Sequence, residues 1–167
     1  MRFKLFLFLL PVYLLSLSGC GIYSFTGASV EGKTINIHMF DNKARNVVPS
    51  LSSTLTEMIR TRILSQTGLE PTTKDDADYD VTGAITAYDV TVTGAQSVQV
   101  ASKNRLTISL QITFKNRLND KASFSQTFTH FSDFDASQIL QNVQTALITD
   151  IGTQLSDDIF NKAFVNW

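Results

Sequence analysis

The sequence predicts an α+β domain: a single four-stranded mixed sheet with two helices packed on one face, the C-terminal helix being long. Three observations carry this. Leu106, Ile108, Leu110, Ile112 and Phe114 alternate with Arg105, Thr107, Ser109, Gln111, Thr113 and Lys115, the period of two that marks a strand with one buried face. Two further stretches, from Pro49 and from about Asp135, repeat their apolar residues at helical spacing. The order strand, helix, three strands joined mostly by hairpins, helix then leaves both helices the apolar face of one sheet to cover.

Ahead of the domain, Arg2 and Lys4 precede an apolar run from Leu5 to Leu15, broken by Pro11 and followed by Leu17-Ser18-Gly19-Cys20. Residues 1–19 thus read as a lipoprotein signal peptide, with small residues where a peptidase needs clearance. About a dozen apolar residues cannot cross a bilayer core that needs about twenty. Cleavage leaves Cys20, the chain's one cysteine, as the lipidation site. Its thiol takes a diacylglycerol and its freed amine a third acyl chain such as palmitate, enough for stable anchoring. An ordinary secretory signal would instead strand a lone thiol in an oxidising compartment. Residues 20–32 read as lipidated N-terminus and tether, and 33–167 as a single α+β domain.

Losing residues 1–19 removes two cations and no acid, so 12 of the 14 Lys+Arg remain against 15 Asp+Glu and the formal charge is −3. Nucleic acid is not an expected partner. Charged residues are 17% of the chain, below the roughly one quarter of an ordinary soluble domain; Ser, Thr, Asn and Gln take their place.

The elements follow in order. Ile35, Ile37 and Met39 alternate with Thr34, Asn36 and His38, a first strand ending near Asp41-Asn42. Pro49 suits a first helical turn; Leu51, Leu55, Met58, Ile59 and Ile63 form one stripe over about five turns, and Gly68 with Pro71 supplies the stop. From Tyr79 to Thr93 the apolar phase shifts from Val81 and Ile85 to Tyr88, Val90 and Val92, which predicts a bulge near Ala87 to Asp89. Val98 and Val100 share the even phase of Leu106, so the third strand can begin early and project a valine-bearing tip. After a turn at Asn116 to Lys121, Phe124 and Phe128 oppose Ser125, Thr127 and Thr129. The last helix starts near Asp135 or Ser137 and runs toward Trp167, roughly 40 Å at 1.5 Å per residue. A helix that long overhangs a small sheet or continues against a partner.

The polar side of these strands is mostly Ser, Thr and Gln, where Lys and Glu would be usual for solubility. Two readings stay open: a solvated face, or a face enclosed by another protein such as the polar lumen of an outer-membrane barrel. Lys103, Arg105, Lys115 and Arg117, at the two ends of the third strand, either solvate those ends or meet phosphate. Val90, Val92, Val98 and Val100 either join the core or meet acyl chains or a barrel wall.

No catalytic pattern is present. His38 and His130 lie within strands without a Cys or HExxH companion, so neither suggests a metal site. No G-x-S-x-G or glycine-rich phosphate loop occurs. Asp75, Asp76, Asp78 and Asp80 have calcium-like spacing, but Val81 and Ala87 stand where glycine and a bidentate glutamate belong, and the run reads as a solvated loop. The chain is expected to be non-enzymatic and to need no cofactor.

The segment Cys20-Gly21-Ile22-Tyr23-Ser24-Phe25, the strand ending Met39-Phe40-Asp41-Asn42 and the Pro49 helix together resemble the LptE family of lipopolysaccharide-assembly lipoproteins, in its Bacteroidetes-like form. The resemblance spans essentially the whole mature chain. It implies a plug-like subunit at the periplasmic face of the outer membrane, seated in a large barrel protein called LptD and assisting lipopolysaccharide insertion. It also implies contact with lipopolysaccharide through basic residues, without fixing which. No acidic or lysine-rich stretch of the surface-export kind follows Cys20. The competing class is a periplasm-facing adaptor or lipid-binding subunit of another envelope complex.

Overall fold

The computed structural model describes residues 30–93 and 103–165. Cys20, residues 1–29, the Val98 and Val100 tip and Trp167 lie outside the described residues. The elements are β1 (Thr34–Ile37), β2 (Asp41–Asn42), α1 (Leu51–Thr67), β3 (Glu70–Pro71), β4 (Tyr79–Thr93), β5 (Lys103–Asn116), β6 (Phe124–Asp135) and α2 (Leu140–Phe160), with a wide turn of helix at Asn161–Val165. The sheet order is β3-β1-β4-β5-β6, with β2 also on β4. β1 and β2 run parallel to β4, and β5 and β6 antiparallel to their neighbours. The fold is therefore α+β with a mixed sheet, as expected.

The expected four strands become six. β2 and β3 are two residues each, too short to display any period. Pro71 sits in β3, on the sheet edge where its missing N–H costs no ladder bond.

The first strand is interrupted at His38 to Phe40, which overturns the expectation for Met39. Met39 is 59% exposed and Phe40 is 1% exposed. His38 N still donates to Val81 O, at 3.0 Å, and Lys43 N to Ile85 O, at 2.9 Å, so the chain leaves β4 and rejoins it with the side-chain phase slipped by one. Phe40 lands over Gly83: a Cβ on Gly83 would lie 2.8 Å from the Phe40 ring and 2.9 Å from Ile112. The freed Phe40 N–H donates to Thr56 Oγ1 at 3.1 Å, and the Thr56 hydroxyl donates to Ser52 O at 2.7 Å. This ties the interruption to α1, whose Thr56 is fully buried.

α1 begins at Leu51, two residues after Pro49, and ends as expected at Gly68, where φ is +67° and the backbone N–H donates to Leu64 O. The β4 bulge falls between Ile85 and Ala87, at Thr86 rather than at Ala87 to Asp89; the phase change from Ile85 to Tyr88 is the one read from the sequence. β6 runs on to Asp135, so Asp135 and Ser137 do not cap the last helix. The Asp135 carboxylate instead accepts from Ser137 N, at 2.8 Å, and its hydroxyl, at 2.6 Å, a local turn that delays α2 to Leu140.

That delay corrects the overhang. At 21 residues α2 is about 32 Å long, and just under about 40 Å with the five-residue turn that continues it, while the 15 residues of β4 span nearly 50 Å. The sheet outruns the helices. Leu51, Leu55, Ile59, Ile63, Ile151, Leu155 and Ile159 cover the apolar face from Ile35 to Leu106, but Val90 and Val92 on the same face are 42% and 68% exposed.

At the opposite end the chain is clamped where it enters β1. Asp78 Oδ2 accepts from Lys33 N (2.8 Å), Thr34 N (3.0 Å) and the Thr34 hydroxyl (3.2 Å), and Gly32 N donates to Tyr79 Oη at 3.1 Å. Asp78 is thus not the solvated loop residue expected. Asp80 is not one either; its side chain is 13% exposed and bonds His38 Nε2 at 2.9 Å. The two backbone N–H donors hold the Asp78 carboxyl below its ordinary value. A folded-state pKa below the unfolded one contributes stability that is fully present above the unfolded value, about 3.9, and is lost as pH falls through the folded one. Asp78→Asn should lower the denaturation midpoint at pH 7 and flatten its fall between about pH 4 and 2, measured by urea titration across that range.

Candidate partner-facing surface

With both helices on one side, the other face of β4, β5 and β6 is uncovered. Register sorts its side chains into rows: Thr82-Thr113-Ser125, Ala84-Gln111-Thr127 and Ala87-Ser109-Thr129. These three rows carry no charge. Asp80-Lys115 bounds them at the Tyr79 end, and Asp89-Thr107-Phe131, Thr91-Arg105-Asp133 and Thr93-Lys103-Asp135 follow at the other.

Within the neutral band the polar groups bond one another. The Ser109 and Thr129 hydroxyls are 2.9 Å apart, Gln111 Nε2 donates to Ser125 Oγ at 3.1 Å, Thr113 and Ser125 are 3.0 Å apart, and the Thr127 hydroxyl donates to Gln111 Oε1. Cross-strand pairs of this kind stabilise the sheet modestly. Their larger consequence is for association: neutral groups already bonded to one another lose far less on leaving water than unpaired polar or ionised ones. The face is half-exposed yet cheap to desolvate.

The four basic candidates do not converge. Lys103 and Arg105 lie at one end of β5, Lys115 and Arg117 at the other, about 12 residues or 40 Å away. Arg105 is already engaged: Nε and Nη2 donate to the two Asp133 carboxylate oxygens at 2.7 and 2.9 Å, and the guanidinium stacks 3.7 Å from the Phe131 ring centre. Arg105 in turn holds the Asp133 carboxyl below the usual range. Arg117 donates from Nη2 to Asp75 O and from its backbone to Asp78 O. Lys115 is opposite Asp80, and Lys103 opposite Asp135. Asp133 and Phe131 were not singled out in the sequence, although counting the β5–β6 register through the Asn116 to Ser123 turn places both beside Arg105.

His130 Nε2 meets Asp158 at 2.7 Å on the helix side, a link between β6 and α2. Among the described residues no group of three or more His, Cys, Asp or Glu comes together as a metal would need, and no helix is long and apolar enough to cross a membrane.

The fold is shared with a minor lipoprotein from Acinetobacter baumannii (TM-score 0.52, 12% identity, 80% of this chain and 93% of that one). It is also shared with a hypothetical protein from Chlamydia trachomatis (0.51, 8%, 81% and 99%) and a protein from Xanthomonas campestris (0.51, 12%, 80% and 83%). At such identities the likeness is one of fold. Comparison with curated proteins gave no match. The family model for lipopolysaccharide assembly, LptE, matches residues 32–163, and the chain belongs to the LptE family.

Proposed function

We propose that this chain is a non-enzymatic lipoprotein, cleaved after residue 19, anchored through Cys20 at the periplasmic face of the outer membrane, that plugs a large LptD-like barrel and assists lipopolysaccharide transport and insertion. Family membership supports the lipopolysaccharide-assembly role. The observation that carries the plug is the charge-free, internally bonded band on β4, β5 and β6. A solvated face gains nothing from excluding Lys and Glu over three rows, whereas a face that must leave water gains several kcal/mol per avoided unpaired charge.

Lipopolysaccharide contact falls to the β4–β5 end. There Lys103 on the polar face supplies an ammonium for phosphate, and Val90 and Val92 on the helix-side face of the same sheet end are exposed apolar side chains suited to acyl chains. Arg105, held by Asp133, acts as a brace for this end, and Lys115 and Arg117 stand too far away to share one lipid headgroup with it. The exposed valines also favour the second reading, a lipid-binding subunit of another envelope complex.

A C-terminally tagged chain, purified from outer membranes in mild detergent, should bring down one large barrel near one-to-one. Bound lipid without a barrel, under conditions that preserve other barrel complexes, would select the second reading.

A further inference from the structure

A second basic feature lies at the other end of the molecule. Lys121, in the turn before β6, and Lys162, just past α2, line one pocket of about 300 Å³ whose remaining wall includes Phe124 and Ala163. Lys162 Nζ sits 5.8 Å from the centre of the Phe124 ring. Neither lysine forms an ion pair with another described residue. On the two segments that carry them, Leu118 and Val165 are 49% and 43% exposed.

This pocket lies at the same end of the sheet as the tether exit. Gly32 N is bonded to Tyr79 Oη, the Tyr79 ring stacks on Phe114 with centres 5.7 Å apart, and Phe114 stacks on Phe124 at 5.4 Å. Phe124 is therefore no more than about 11 Å from the ring that holds the tether exit. Two lysines without an ion-pair partner, Lys162 over the Phe124 ring, on segments that also carry the exposed Leu118 and Val165, match an interface of lipid headgroups and upper acyl chains. An acidic protein surface would not use Leu118 and Val165.

We infer that Lys121 and Lys162 form a binding site for the headgroup phosphate of an anionic phospholipid, docking the tethered end of the domain on the membrane surface. Lys121 and Lys162 donate to phosphate oxygens, and Leu118 and Val165 sit against the acyl region. The inference rests on the reading of Cys20 as lipidated, which sets this end near the membrane.

Native mass spectrometry of the full acylated chain, released from detergent after incubation with phosphatidylglycerol or phosphatidylcholine of matched chains, separates the two ideas, because the protein mass reports Cys20 acylation whatever lipid is retained. Phosphatidylglycerol should be retained preferentially. Lys121→Gln with Lys162→Gln should cut that retention about tenfold or more, each lysine near an anionic surface being worth about fivefold, while Lys43→Gln leaves it unchanged. Equal retention of the two lipids, or retention unmoved in the double variant, would overturn the site. Displacement of phosphatidylglycerol by inorganic phosphate at equal concentration would also overturn it, showing a free-phosphate site.

Discussion

Placing lysine at both Ser109 and Gln111 should abolish recovery of the barrel while the chain stays folded. The two positions occupy adjacent rows of the neutral band, with Ala87 and Thr129 beside one and Ala84 and Thr127 beside the other, so neither ammonium has a carboxylate directly opposite. On a solvated face such changes cost about 0.5 kcal/mol or less, plus the exposed bonds to Thr129 and Ser125. In an enclosed one each unpaired charge costs several kcal/mol, so affinity should fall about a hundredfold or more. Thr107→Lys is an internal contrast, because Asp89 stands opposite in register and can pair with the new charge. Its effect on barrel recovery should be clearly smaller. Tagged variants compared for barrel yield, with thermal unfolding as the folding control, give the answer.

The largest effect on stability is expected at Phe40. Its ring fills the space over Gly83, and Phe→Ala in a core costs about 3–5 kcal/mol, a large part of the 5–15 kcal/mol that holds an ordinary domain. Gly83→Ala alone is also destabilising, since the new methyl meets Phe40 and Ile112 within 3 Å. The two changes should be strongly non-additive: with the ring gone, the methyl at 83 enters the cavity and clashes with Ile112 alone. A double-mutant cycle by urea unfolding should show Gly83→Ala costing less in the Phe40→Ala background.

That pair also shows where the sequence is readable and where it is not. The strand from Leu106 to Phe114 is legible because five alternations fix its face, and the helix from Leu51 is legible because its stripe ends at a glycine that adopts the left-handed conformation. The fate of Met39 is not. Up to His38 the alternation is regular, and nothing local says that the chain will leave its neighbour for three residues; the decision is made by a glycine more than 40 residues away that leaves room for Phe40. β2 and β3 are illegible for a related reason, being held by β4 and β1 and not by any pattern of their own.

The surface follows the same division. That β5 has a low-charge polar side is visible in Thr107, Ser109, Gln111 and Thr113. That three of its rows are free of charge across three strands depends on register, which combines the bulge at Thr86 with the length of the β5–β6 turn. The same count pairs Arg105, a candidate lipid contact, with Asp133. Val90 and Val92 could be read as core or as exposed until the length of α2 decided it: the local turn at Asp135 and Ser137 shortens the helix, and the sheet end it would have covered stays open.

On the proposed function, the neutral sheet face is enclosed by a barrel. The most direct test is site-specific photocrosslinking in intact outer membranes, with a photoreactive amino acid placed singly at Gln111, at Thr127 and, on the helix side, at Thr61. Positions 111 and 127 should each crosslink to one large barrel protein. Crosslinking to the barrel from position 61 but from neither sheet position would contradict that enclosure, by assigning the partner to the helices and leaving the neutral face to solvent.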